Sequence, residues 1–320
     1  MSGIYRWRVF VAGSAAALAL LACGGGSSGN GNGSGSASSA APAAATDAGA
    51  PAMTNNIAVD GRNWINYRRT QAGLPVVTEN AQINIAALGH SEYQRTNNTV
   101  THEEAAGKPG FTGATLQDRL NAAGWTVPAN GFAISEVISA TTNTSGFYMA
   151  EELITAIYHR FAIFEPRFKE IGSGAATTSA GYTYFTADFG ARGGWGQGIA
   201  AGTVATWPSN GQVQVPPNFF SDFETPDPVP NGNEVGYPIS VHANLESGTA
   251  LAVQSFSVRP HGGADLNVQL LRPAGDAETP GSAAAIIPLS PLRAATTYDV
   301  TFVGAVNGTP VAKTWSFTTR

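Results

Sequence analysis

EELITAIYHRFAIFEPRFKEIGSG, residues 151–174, reads as a helix carrying His159, a short irregular run, and a strand that starts at Ile171. His159 matters for its company. Thr101-His102 lies upstream, just after another apolar-periodic segment, and Ser135-Glu136-Val137 lies between the two. Two imidazoles and a carboxylate drawn from separate elements form the one constellation in this chain with evident chemistry, provided packing brings them together.

Working outward, Ile57, Gly61, Trp64, Ile65 and Arg68 sit at helical spacings, and the Gly73-Leu74-Pro75 break ends that helix. A second helix is expected from Asn80 to about Thr96, where Ile83, Ala87, Leu88 and Tyr93 form an apolar stripe. His90 lies in it and reads as a packed core residue. A third, short helix from Thr115 to Ala123 is closed by Gly124, which supplies the left-handed residue that ends many helices. Strands follow over 171–175 and 182–189. Helices around a few central strands imply α/β layering.

In this order the residues resemble the CAP superfamily (cysteine-rich secretory proteins, antigen 5, pathogenesis-related 1; the SCP domain) in its disulfide-free bacterial form. Asn66, Arg69, Gly73, Leu74 and Pro75 resemble its opening motif, and Ala87, His90, Ser91 and Glu92 the next. Thr101-His102 stands in place of Ser-His, and Ser135-Glu136-Val137 in place of Gly-Glu-Asn. Leu116, Asp118, Arg119, Ala123, Gly124 and Trp125 resemble the run before it. His159-Arg160 with Ile163, then Ile171-Gly172-Ser173-Gly174, then the strand Tyr184 to Gly190 complete the likeness. The resemblance implies a three-layer α-β-α sandwich. It also implies a cleft of two histidines and two acids that holds a divalent metal in several members. Carried over, these are His102, Glu136 and His159. The fourth position falls near Ala156, and Glu152 is the nearest acid, two helical turns from His159 if one helix carries both.

Neutral imidazoles and a carboxylate suit Zn²⁺, with water completing the shell, and an open position would polarise that water for hydrolysis. The same groups also form a metal-free hydrogen-bonded cluster equally well. Glu103, Glu104 and Glu151 read as solvated charges. No Gly-x-Ser-x-Gly elbow is present.

The N-terminus reads as a targeting segment over residues 1–22: Arg6 and Arg8, then a short apolar run, then Leu20-Leu21-Ala22-Cys23. The single cysteine of the chain sits at that site, which resembles a lipobox, so Cys23 is expected to carry acyl chains. Each buried CH₂ would contribute about 0.8 kcal/mol to anchoring. Residues 23–55 are Gly, Ser, Ala and Asn with almost no charge, a tether with a reach of roughly 30 Å. The CAP-like domain is expected over 56–206. From 207 to 320 prolines punctuate short alternating runs, with Asn307-Gly308 as a hairpin turn. The Trp315-Ser316-Phe317-Thr318-Thr319 ending resembles bacterial Ig-like modules, which implies a small all-β sandwich.

A net charge of −5 with 12% charged residues gives no basic excess to suggest nucleic acid. Three functions remain. The first is a lipid-anchored protein of the bacterial envelope, at the outer membrane, binding lipid, glycan or protein. The second is a metal-dependent hydrolase or peptidase using the cleft. The third is a structural envelope protein.

Overall fold

The computed structural model describes residues 48–129, 131–246 and 248–320; Cys23, the targeting segment and most of the expected tether lie outside them. The described end of that tether is tied down. Asp60 accepts hydrogen bonds from Thr54 and from the Asn55 amide, and the Tyr67 hydroxyl donates to the Ala48 carbonyl. Among the described residues no helix is long and apolar enough to cross a membrane.

Helix α1 (Ile57–Gln71) is capped by the Asn56 side chain, and α2 (Ala81–Asn97) by that of Asn80. Strand β1 (Thr78–Glu79) joins them. Helix α3 (Leu116–Ala122) starts with a reciprocal capping box between Thr115 and Asp118. Then come β2 (Phe132–Thr141), α4 (Gly146–Thr155), α5 (Ile157–Ile163), β3 (Glu170–Thr177) and β4 (Thr183–Arg192). The four strands form a sheet in the order β1-β3-β4-β2, with β3 and β2 both antiparallel to β4.

Helices cover both faces of this sheet. Gly172 and Gly174 of β3 let α2 lie directly on it: a Cβ on Gly172 would strike the backbone of Ile83 and Asn84, and one on Gly174 that of Ala87 and Leu88. On the other face α1 and α4 meet closely at Gly146, where a Cβ would collide with the Ile57 carbonyl and the Gly61 amide. Phe185, Phe189 and Ile171 point to this second face and are fully buried with Ile163 of α5 and Phe164 just after it.

The single helix expected through His159 is two. Ala156, with φ −67° and ψ 120°, is extended and breaks the chain between α4 and α5. Arg160 holds the break: its guanidinium donates to the Ile154 and Thr155 carbonyls. Glu152 and His159 therefore do not share a helical face.

The remaining strands build two four-stranded sheets and a ribbon. Strands β5 (Ala205–Trp207), β9 (Ile239–His242), β11 (Val268–Leu271) and β12 (Ala283–Pro288) form one sheet in the order β11-β12-β9-β5. Strands β6 (Gln212–Val215), β10 (Ala252–Pro260), β13 (Thr297–Val306) and β14 (Thr309–Thr319) form the other, in the order β10-β13-β14-β6. The ribbon is β7 (Asn218–Phe220) with β8 (Glu234–Gly236). Asn307 and Gly308 both have positive φ, as the two-residue turn between β13 and β14 requires.

This β region is no detached spacer. One apolar core runs from Trp64, Phe147 and Phe185 through Phe164 and Trp207 to Ile239, Val300 and Phe317. A second cluster joins Ile157, Tyr158 and Phe161 of α5 to Phe219, Val235, Leu271 and Ile287. The polar seam matches: Arg160 donates to the Pro238 carbonyl, Arg167 to the Leu245 carbonyl, and Ser282 to Glu165.

Candidate functional site

Strand β2 places Glu136 opposite Asp188 of β4, on the sheet face covered by α2 and α3. Glu136 is 5% exposed, and both its oxygens are engaged. His102 Nδ1 donates to Oε1 at 2.8 Å, and Arg119 Nη2 of α3 donates to Oε2 at 2.6 Å. Burial pushes the Glu136 pKa up, but the charges of Arg119 and His90 and the His102 hydrogen bond outweigh it, and the carboxyl stays ionised far below its ordinary range. Asp188 has the opposite fate. It is fully buried. Burial and the charge on Glu136 drive its pKa well up, against the pull of Arg119. The pair is thus pushed apart, Glu136 toward its carboxylate and Asp188 toward its acid form, the kind of split that acid–base chemistry uses. The His102 side chain, 13% exposed, is the member nearest to solvent.

Two further residues complete this side. His90 is fully buried, with Nδ1 2.9 Å from Glu104 and Nε2 2.7 Å from the Thr101 carbonyl. Glu104 is buried rather than solvated. Burial raises its pKa, but hydrogen bonds from His90 and from the Thr112 amide outweigh that and hold it below the usual value. These bonds pin the long segment between α2 and α3, together with the Arg119 bond to the His102 carbonyl.

His159 lies elsewhere, on α5. Its Nδ1 is 3.1 Å from Oε1 of Glu224, a fully buried residue from the turn after β7. Helix α5 has no side-chain cap of its own, since Ala156 offers none. Glu224 serves instead: its carboxylate accepts the Ile157, Tyr158 and His159 amides. The Nε2 of His159 is buried without a partner. Glu152 is exposed, and its carboxylate takes a hydrogen bond from Tyr148. Glu151 also departs from expectation. It is not a solvated first-turn charge but accepts from Trp64 Nε1 at 2.6 Å and from Arg68 Nε at 2.8 Å.

The structure therefore brings His102 and Glu136 together and gives His159 a different acid. Among the described residues no group of three or more His, Cys, Asp or Glu side chains is arranged to hold a metal ion. Arg119 explains this in part, because its guanidinium fills the place beside Glu136 that a cation would take. These residues, as arranged, do not fit a divalent metal.

Residues 63–189 match the cysteine-rich secretory protein (CAP) family model. Over this segment the chain is similar to a CAP domain. The matched span contains no cysteine, so the CAP domain here is held by packing and buried polar pairs without disulfides. None of the curated proteins is detectably similar to the chain. Among solved structures it is similar to an extracellular protein containing an SCP domain from Bacillus anthracis str. Ames, at 22% identity and a TM-score of 0.35. That match covers 43% of this chain and 44% of the other, so the chain spans less than half of that relative. It is also similar to an outer surface protein of Borrelia burgdorferi, at 16% identity and a TM-score of 0.34, over 41% of this chain and 89% of that one.

Sequence reasoning missed Glu224, which lies outside the CAP domain and 65 positions from its partner. No local pattern could have paired them. Asp188 was legible only as a member of the closing strand motif. Its burial against Glu136 follows from the register of β2 on β4.

Proposed function

We propose that this protein is an envelope-anchored binding protein, in which the CAP domain and the β region act as one rigid receptor. The observation that carries the reading is the pairing of the cleft groups. His102 and Arg119 both hold Glu136, and Glu224 holds His159, a set that suits recognition and positioning better than metal-assisted hydrolysis. The β region, which we read as an Ig-like module, then serves as half of the receptor. Acyl chains on Cys23 would hold it at the outer membrane. The extracellular and outer-surface descriptions of the two similar structures accord with such a location. The ligand classes that suit it are lipid, glycan or protein.

The competing reading is a metal-dependent hydrolase on His102, Glu136 and His159, with Zn²⁺ the best-suited ion. It would require Arg119 to leave Glu136 and Glu224 to release His159. Thermal melting with and without Zn²⁺ separates the two. A metal at 100 times its Kd would add about 2.7 kcal/mol, several degrees in Tm, in the wild type and in neither His102→Ala nor His159→Ala. The binding reading expects no such rise. Anchoring is tested by fractionation: wild type should sediment with membranes, and Cys23→Ser should not.

A further inference from the structure

His159 is a buried imidazole with a partner on one nitrogen only. The partner is a carboxylate that already accepts backbone N–H groups from Ile157, Tyr158 and His159, so it can only accept from the ring as well. Nδ1 must therefore carry the proton. In the neutral ring Nε2 is then a bare lone pair. A bare acceptor in a buried position is costly unless something donates to it, and orphaned groups of this kind mark places where water or a ligand belongs.

A second orphan lies on the same side. Ser135 Oγ is buried without a partner. Ser135 pairs with Phe189, and Phe189 with Ile171, so the three share the sheet face that α5 packs against. A residue of the β region thus sets the chemistry of a CAP helix. The residue at the start of α5, Ala156, has no polar side chain to do it.

We propose that Glu224 is a positioning residue of the CAP site: it fixes His159 in the tautomer protonated at Nδ1, and so presents Nε2 as a hydrogen-bond acceptor to a ligand's O–H or N–H group. The purpose assigned to Nε2 rests on the binding reading above. The tautomer does not, and it is what the experiment reads, so the two can fail separately.

The test is long-range ¹H–¹⁵N correlation of the imidazole rings in the chain labelled with ¹⁵N-histidine, with His159 assigned by the loss of its signals in His159→Gln. In the wild type Nδ1 should be protonated and Nε2 bare. Glu224→Gln keeps an oxygen that can accept from Nδ1 and should keep this tautomer; Glu224→Ala should lose it and give a mixture or the Nε2–H form. Amide hydrogen exchange runs beside it. Without the shared cap, the Ile157, Tyr158 and His159 amides should exchange about 5–30 times faster in Glu224→Ala, while the β13–β14 hairpin stays protected. A cap that was merely structural would change exchange and leave the tautomer alone. An Nε2–H tautomer in the wild type, or an unchanged tautomer in Glu224→Ala, overturns the proposal.

Discussion

Arg160→Met should weaken the CAP domain and the β region together. The Arg160 guanidinium is fully buried and donates to the carbonyls of Ile154, Thr155 and Pro238, with Ser240 Oγ nearby at 3.4 Å and the Tyr237 ring 5.0 Å away. Methionine fills much of the same space but has no donors. Three carbonyls then lose a partner, at about 1–3 kcal/mol each. The guanidinium no longer has to be desolvated, and burial already lowers its pKa, so part of the loss is recovered. The net cost should be roughly 3–5 kcal/mol, the scale of breaking a buried ionic contact. For a chain of this size that is a fall in Tm of about 6–20 °C. Differential scanning calorimetry is the assay, and the shape of the endotherm matters as much as its position. With one core crossing the junction, both parts should melt in a single transition in wild type and variant. Two separated transitions, with only the lower one moved by the substitution, would refute the shared core. So would a shift under about 2 °C.

Two further outcomes follow from the sheet. Asp188→Asn should stabilise the protein at neutral pH, since the wild-type acid has a raised folded pKa and an amide can donate to Glu136 without ever carrying a charge. A raised acid contributes its full stability below the unfolded value of 3.8 and loses it as pH rises through the folded value, so the gain should grow from pH 4 upward and disappear in acid; Tm against pH reads it. Gly174→Ala should cost about 3 kcal/mol or more, because the new methyl meets the α2 backbone at Leu88, which cannot yield as a side chain would. Gly275→Ala, with nothing within 4 Å, is the control and should be near neutral in urea unfolding.

How much of this was legible depends on the range of the interactions. The helix starts at Asn56, Asn80 and Thr115 are local hydrogen bonds, and the sequence shows them as Asn and Thr before apolar periodicity. The Asn307-Gly308 turn is local too. The two glycines of β3 were visible as a motif, and their reason appears only when α2 is laid on the sheet. The break at Ala156 was hidden because Ala favours helix by itself. It becomes extended because Arg160 and Glu224 satisfy the freed backbone groups from outside. The site divided along the same line. The sequence placed His102, Glu136 and His159 in one set, and the structure pairs the first two across a loop and a strand. His159 was assigned to them by motif, and a carboxylate from another part of the chain claims it instead. Glu104 and Glu151 looked solvated because nothing in their own neighbourhood pairs with them, and their partners come from α2 and α1.

The junction at α5 also bears on how such a protein changes over generations. A module joined by a linker can be lost, duplicated or traded as a cassette. Here the contacts that complete α5 are divided between residues 154–165 and residues 207–245, with Ser282 beyond them. A recombination point between the two would leave Arg160, Glu165 and His159 facing strangers. A chimera that exchanges the CAP domain or its β region therefore needs both sides of this seam to travel with it.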